Sequence, residues 1–529
     1  MTTDTRAKRP SFILYITDQH RADYLGCYGH PLLKTPHIDA LAGQGVAFDR
    51  FYVASPVCMP NRASLMTGRM PANHGVRMNG IPLSQRNVTF VELLRDAGYK
   101  TALIGKSHLQ TFSGKPPLQK IPEPRPGYHR AEGPLREAVR HDLQTPIYAT
   151  EDPDFWSGPQ PAVPTPFYGF DHVELVTGHG DGVGGDYTAW LRAHAPDAAA
   201  LIGPKNQLPH DYVCPQAIRT AVPEELYSTT YIAERAEAWL AGQADDDRPF
   251  FLMVSWPDPH HPFNPPGRYW DMYDPADFAV PEAFTRNDWT PPPHIQGVIA
   301  ARECGQANLR GMAAIGCSPR EAQEAQALTC GMISMIDAAV GRVQTALEHA
   351  GRQSETVKLF TTDHGDHLGD HRLLFKGPEQ YEAITRVPFI WSDPDGASGA
   401  RSDRLGQTHD IGATILERAR IEPAWGMQGL DLFGEETRPA AFVQYSHQKP
   451  MDGLAVRPNI HTIRDARYRL SVVQGMGWGE LYDLDDDPGE FDNLWDDPAA
   501  QTIKAKLLET LAQAELRHID QTPMPTGQA

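Results

Sequence analysis

The chain has 529 residues, of which 40% are hydrophobic, and a formal net charge of −19. That length holds two or three average domains, or one large α/β domain with an appendage. The acidic balance has no basic block, which excludes nucleic acid and an anionic membrane surface as partners and means that an anionic substrate needs positive charge gathered locally. The longest apolar run, FFLMVSW at 250–256, is too short to span a bilayer, and the opening MTTDTRAKRPSF lacks the apolar stretch of a signal peptide. The expectation is a soluble, cytoplasmic chain with no membrane partner. Cys27, Cys58, Cys214, Cys304, Cys317 and Cys330 show no C-x-x-C spacing and read mostly as reduced core residues.

In chain order, FILYIT at 12–17 is an apolar, β-rich run that ends in Asp18-Gln19-His20, as a buried strand ends at a functional loop. Thr89 and Glu92 form a T-x-x-E capping box before VELLRDAG, Gly98 closes that helix, and YKTALIG is the next strand, delivering Lys106. The segment 111–222 is rich in Pro and Gly and reads as a large insertion over the site or at a subunit contact, with FYGFDHVELV its clearest ordered stretch. Ile232, Ala236, Trp239 and Leu240 share a helical face, after which RPFFLMVSW runs as a strand into Asp258-Pro259-His260. Ile333, Ile336, Val340, Val343 and Leu347 make a second stripe, closed by Gly351, and VKLFTT leads to Asp363-His364. Beyond about 437 come the strand-like HTIRDARYRLSVV and GELYDLDDD, then a helix at 500–517. The expected organisation is a catalytic α/β domain over 1–436 and a small α+β subdomain over 437–529. Four strands end in polar or ionisable residues, and in an open parallel sheet ligands bind outside those ends.

Asp18, Asp363 and His364, with Gln19 as a neutral oxygen donor, suit calcium, magnesium or manganese better than zinc. Singly, each reads as a turn or cap residue; together, at the ends of core strands, they point to a metal. DHGDHLGDH at 363–371 also offers His367, Asp370 and His371, which keeps a histidine-rich zinc or two-metal site open. Lys106 in GKSH and Lys376 in HRLLFK supply point charges for an anionic group and His108 a proton for a leaving oxygen, though each alone reads as a surface side chain; the prolines of PDPHHPFNPP either fix the loop and aim the His260 imidazole or form a polyproline-like surface turn. In VCMPNRASLMTGR at 57–69, Cys58 reads either as a buried thiol or as a thiolate activated by Arg62 and Lys106.

CMPNR followed by ASLMTGR resembles the C-x-P-x-R signature of the sulfatase family, in which the cysteine is oxidised after translation to formylglycine. LYITDQHRADYLGCYG, GKSH, VSWPDPHHPF, the DHGD segment with its following lysine, and GELYDLDDDPGEFDNL extend the resemblance over the chain outside 111–222. The family belongs to the alkaline phosphatase superfamily. The resemblance therefore implies a large, mainly parallel mixed sheet sandwiched by helices, with a smaller carboxyl-terminal antiparallel α+β subdomain. It also implies Asp18, Gln19, Asp363 and His364 as ligands of one divalent metal, which the modified Cys58 also reaches. Many sulfatases carry Asp-Asp where this chain has Asp18-Gln19, and some carry Asp-Asn where it has Asp363-His364. Both variants resemble bacterial relatives that include phosphonate monoester hydrolases, and calcium ranks ahead of manganese.

The implied activity is hydrolysis of an aryl or alkyl sulfate ester by hydrated formylglycine. One hydroxyl, polarised by the metal and Arg62, attacks sulfur; deprotonation of the other, helped by His108, expels sulfate. Lys106 and Lys376 neutralise developing charge, His260 protonates the leaving oxygen, and Asn79 in RMNG contacts substrate or is an ordinary loop residue. The lysine and histidine of GKSH resemble those of true sulfatases, whereas phosphonate monoester hydrolases tend to have tyrosine and threonine there. A sulfatase is therefore expected ahead of a phosphonate monoester or phosphate diester hydrolase, with cross-reactivity. A catalytically silent anion-binding protein on the same fold would lack a ligand or nucleophile, and every such position here is filled. The implied partners are a small sulfate ester and a formylglycine-generating maturation enzyme; the Pro-rich insertion and trailing helix are compatible with a homo-oligomer.

Overall fold

The computed structural model describes residues 9–115, 123–141, 143, 145–158, 161–448, 450, 457 and 459–527. Its centre is a nine-stranded mixed sheet built from β1 (Ser11–Thr17), β2 (Val46–Phe48), β3 (Lys100–Gly105), β4 (His172–Thr177), β5 (Gly184–Gly185), β6 (Phe250–Ser255), β7 (Thr356–Thr362), β8 (Phe389–Ser392) and β9 (Ala400–Ser402). The spatial order is β9-β2-β8-β7-β1-β6-β3-β4-β5. The run β7-β1-β6-β3-β4 is parallel throughout, so five strand ends open side by side.

β1 shows why the sheet lies in the interior. Phe12, Leu14 and Ile16 enter one apolar core, Ile13 and Tyr15 the other, as strand alternation requires of a sheet covered on both faces. Against the second of these faces pack the helices Ser228–Ala241 and Pro319–His349, whose stripes Ile232/Ala236/Leu240 and Ile333/Ile336/Val340/Val343/Leu347 are fully buried. On the opposite face the helix Phe90–Asp96 starts at the capping box read in the sequence: Thr89 Oγ1 accepts from Glu92 N at 3.2 Å and Glu92 accepts from Thr89 N at 2.7 Å.

The segment 111–222 differs from the expected insertion, because it supplies β4 and β5 to the sheet itself. The ordered stretch FYGFDHVELV carries the first of these strands, HVELVT, whose first three residues are only half-buried. The carboxyl-terminal part contains an antiparallel four-stranded sheet, β10 (Ala441–Ser446), β11 (Asn459–Arg464), β12 (Tyr468–Val473) and β13 (Gly479–Asp483), covered by the helix Gln501–Arg517. Among the described residues, no helix is long and apolar enough to cross a membrane.

A buried charged network fastens this small sheet to Tyr381 and Glu382, in the segment between β7 and β8. Arg469 donates to Glu480 at 2.9 Å and also to Glu490, with its guanidinium over the rings of Tyr381 and Tyr482. Replacing Arg469 by Met would leave two buried carboxylates without their cation. We expect Arg469→Met to lower unfolding free energy by about 3 to 5 kcal/mol, read by denaturant titration; a loss below about 1 kcal/mol would mean that apolar packing alone holds the junction.

Candidate active site

Each parallel strand end delivers one part of the site. Asp18 follows β1, Lys106 follows β3, His260 lies beyond β6, and Asp363 and His364 follow β7. Gly105, at φ 111, is required where β3 ends, because a Cβ there would stand 1.9 Å from the Ser255 carbonyl oxygen.

The helix Cys58–Thr67 lies over these ends and begins at Cys58. Pro60 sits in its first turn, where a missing N–H costs no intrahelical bond, and Arg62 lies one turn after Cys58 on the same face. That is the physical content of the C-x-P-x-R spacing. Asn61 ties the helix to the sheet: its Oδ1 accepts from Ala54 N at 2.9 Å and its Nδ2 donates to the Asp363 carbonyl at 2.6 Å. Asn79 Oδ1 accepts from Met59 N at 3.1 Å, so this residue buttresses the start of the helix.

Asp18, Cys58, Asp363 and His364 are all buried and bring one ligand atom each within 4.8 Å of one another. Cys58 Sγ is 3.1 Å from His364 Nε2 and 3.7 Å from Asp18 Oδ1. Two carboxylates and an imidazole in one desolvated cluster form a donor set that a divalent cation fits. Gln19, at φ 62, donates its backbone N–H to Asp363 Oδ1 at 3.1 Å, while its side-chain oxygen accepts from Lys376 at 2.7 Å. Its carboxamide nitrogen faces His261 and Asp366.

Arg62 spends its guanidinium on protein groups: Asp363 at 2.7 Å, the Lys106 carbonyl and Ser255 Oγ both at 3.0 Å, and the Thr17 carbonyl. Lys106 pairs with Asp18 and also donates to His179 Nε2 at 2.7 Å. Lys376 donates to His260 Nε2 at 2.6 Å. Three buried cations thus face two carboxylates, which answers the need for local positive charge in an acidic chain. Burial works against ionisation of Asp18, but Lys106, His260 and His179 hold its carboxyl well below the usual range. Burial, reinforced by Lys106 and His179, holds His108 well below the ordinary imidazole value; its ring stacks on Phe112 and its Nδ1 has no partner. For Cys58, burial and then Asp18 push the thiol up to about 12.

The remaining histidines of DHGDHLGDH disperse. His367 faces Glu379 at 3.4 Å, His371 stacks on Tyr381 at 3.7 Å between ring centroids, and Asp370 pairs with Arg21. They form no metal cluster among the described residues. His179 is a site residue that the sequence does not single out: its ring stacks on His260 and its Nε2 lies 3.5 Å from Asp18. Its only signal is a histidine between two glycines, two residues past the strand-like HVELVT.

The model of the family described as Sulfatase matches residues 10–421, and one described as N-sulphoglucosamine sulphohydrolase, C-terminal, matches residues 369–517. The chain is 28% identical over 499 residues to an arylsulfatase of Clostridium perfringens, covering 92% of this chain and 90% of that one. It is 27% identical over 547 residues to the multifunctional alkaline phosphatase superfamily protein PehA of Trinickia caryophylli, covering 97% and 96%. Among solved structures, the phosphonate monoester hydrolase of Agrobacterium radiobacter is similar with a TM-score of 0.77, 27% identity and 97% of each chain covered. The large, mainly parallel mixed sheet with its helices and the small carboxyl-terminal antiparallel sheet agree with an alkaline-phosphatase-like architecture.

Proposed function

Because the chain belongs to the sulfatase family, we propose that it hydrolyses sulfate monoesters of aryl or alkyl alcohols with one divalent cation, calcium ahead of manganese, and a formylglycine made from Cys58 by a maturation enzyme. The observation that carries this reading is the position of Cys58, at a helix start, beside His364 and Asp18 and opposite two lysines. Asp18, Asp363 and His364, with Gln19 beside them, would hold the cation, which supplies Lewis-acid polarisation, while formylglycine supplies the attacking hydroxyl.

The chain's own residues do the rest. Lys106 and Lys376 set two ammonium groups where a tetrahedral anion gains charge on its outer oxygens. His260 Nδ1–H donates to the His261 carbonyl, which leaves Nε2 as acceptor for Lys376. The proton shared by that pair is the one delivered to the departing alkoxide. Arg62 fixes the Asp363 carboxylate, and His108 stands as the base that assists product release.

A phosphonate monoester or phosphate diester is the second reading, favoured by the likeness to the Agrobacterium phosphonate monoester hydrolase over 97% of the chain. The deciding experiment compares kcat/KM on 4-nitrophenyl sulfate and 4-nitrophenyl phenylphosphonate, which share one leaving group. The sulfate ester is expected to be preferred; the opposite order would install the second reading. Removing the cation with a chelator is expected to cut turnover at least about 100-fold and to lower the thermal midpoint, since a ligand at 100 times its Kd stabilises by about 2.7 kcal/mol. Adding back calcium or manganese restores both. Full turnover in metal-free enzyme would remove the cation from the scheme.

A further inference from the structure

The two lysines of the site each donate to a histidine, and the two histidines lie face to face. Lys106 donates to His179 Nε2 at 2.7 Å and Lys376 to His260 Nε2 at 2.6 Å. The imidazole centroids of His179 and His260 are 3.6 Å apart with 14° between planes. His179 is nearly enclosed, with 7% of its side chain exposed, and Phe112 meets it edge-on at 5.4 Å.

The loop that carries His179 is built to press against the loop that carries His260. Gly180 has φ 66, and a Cβ there would come within 2.6 Å of Pro262 Cγ, so only glycine permits this approach. Asp181 locks the contact: its N–H donates to the Asn264 carboxamide oxygen at 2.7 Å, and its carboxylate accepts from Thr220 Oγ1 at 2.8 Å and Gly203 N at 3.1 Å. The loop follows β4, the fifth strand of the parallel run, so His179 arrives at the same edge as Lys106 and Asp18.

We propose that His179 is a positioning residue for two groups at once: it holds the Lys106 ammonium toward the anion and keeps the His260 ring in line with the leaving oxygen. This rests on the sulfate-ester reading above. Without His179, Lys106 keeps only Asp18 and the face of Phe112 and is drawn onto that carboxylate, and His260 loses one of the two rings stacked on it, keeping His261. The two effects separate by leaving group. A misplaced proton donor penalises a poor leaving group such as phenoxide far more than 4-nitrophenoxide, whereas a misplaced ammonium penalises both alike.

The test measures kcat and KM on phenyl sulfate and 4-nitrophenyl sulfate for wild type, His179→Ala and His179→Phe. His179→Ala is expected to lower kcat on phenyl sulfate by about 10- to 100-fold, the scale of a catalytic group displaced by about 1 Å, with a smaller loss on 4-nitrophenyl sulfate and KM changed less than about threefold. His179→Phe keeps a ring against His260 but no acceptor for Lys106, so it should restore the wild-type ratio between the two esters while retaining an equal loss on both. Variants within about twofold of wild type on both esters would overturn the inference. So would equal losses in both variants that follow a lowered melting temperature, which mark a purely structural residue. If wild type itself leaves both esters intact, the sulfate-ester reading fails, and this inference with it; unchanged variants of an active wild type sink the inference alone.

Discussion

Cys58→Ala is expected to lower kcat by on the order of 10⁴-fold or more while the protein keeps its fold. Cys58 is 1% exposed, yet its Sγ is held by active-site groups, not by apolar packing. The substitution removes one sulfur from a polar cluster, and the helix it begins stays tied down by Asn61 and by Asn79 through Met59. Its thermal midpoint should therefore shift by only a few degrees, the response to about 1 kcal/mol. Turnover close to wild type would show that the residue is not the nucleophile. A large drop in stability would show that the thiol is a packing element.

Asp363→Asn is expected to lower metal content and turnover together, the latter by on the order of 10³-fold, and here stability falls too. Asp363 accepts from buried Arg62 at 2.7 Å and from Gln19 N at 3.1 Å. An amide takes away the carboxylate that the guanidinium bonds and leaves Asp18 as its remaining nearby negative charge, and breaking a buried ion pair from one side costs about 3 to 5 kcal/mol. Denaturation in excess chelator separates the two consequences: with no metal on either protein, the stability difference that remains follows from Arg62, whereas elemental analysis reports the donor set. A full metal complement and full rate in the Asp363→Asn variant would take Asp363 out of the ligand set.

Much of this site was legible in the sequence because each element carries its own local signal. The capping box at Thr89, the stripe from Ile333 to Leu347 and the apolar run at 12–17 fix elements by short-range rules, and the last of these ends where Asp18 begins. The C-x-P-x-R stretch could be read as chemistry only through its resemblance to the family signature; the residues alone left Cys58 open between a buried thiol and a thiolate, and the helix start that places Pro60 and Arg62 belongs to the fold. What stayed hidden depends on contacts distant in sequence. His179 and His260 are 81 positions apart and meet only because Gly180 lets one loop settle on the other. For β4 the sequence marks an ordered stretch, FYGFDHVELV, but its place in the main sheet depends on pairing with β3, far away in sequence. Arg62 also differed in emphasis. Its spacing places it beside Cys58, but its donors go to Asp363 and three other oxygens, bonds that only the assembled strand ends reveal.

The catalytic scheme stands on the chemical identity of position 58. Its most direct test is the mass of the peptide containing residue 58, digested from an active preparation. Conversion to formylglycine replaces the thiol by an aldehyde, and the expected result is a loss of about 18 Da from the cysteine-containing mass. An unmodified cysteine in fully active enzyme would contradict the scheme and would return the Cys58 thiolate or a metal-bound hydroxide to the position of nucleophile.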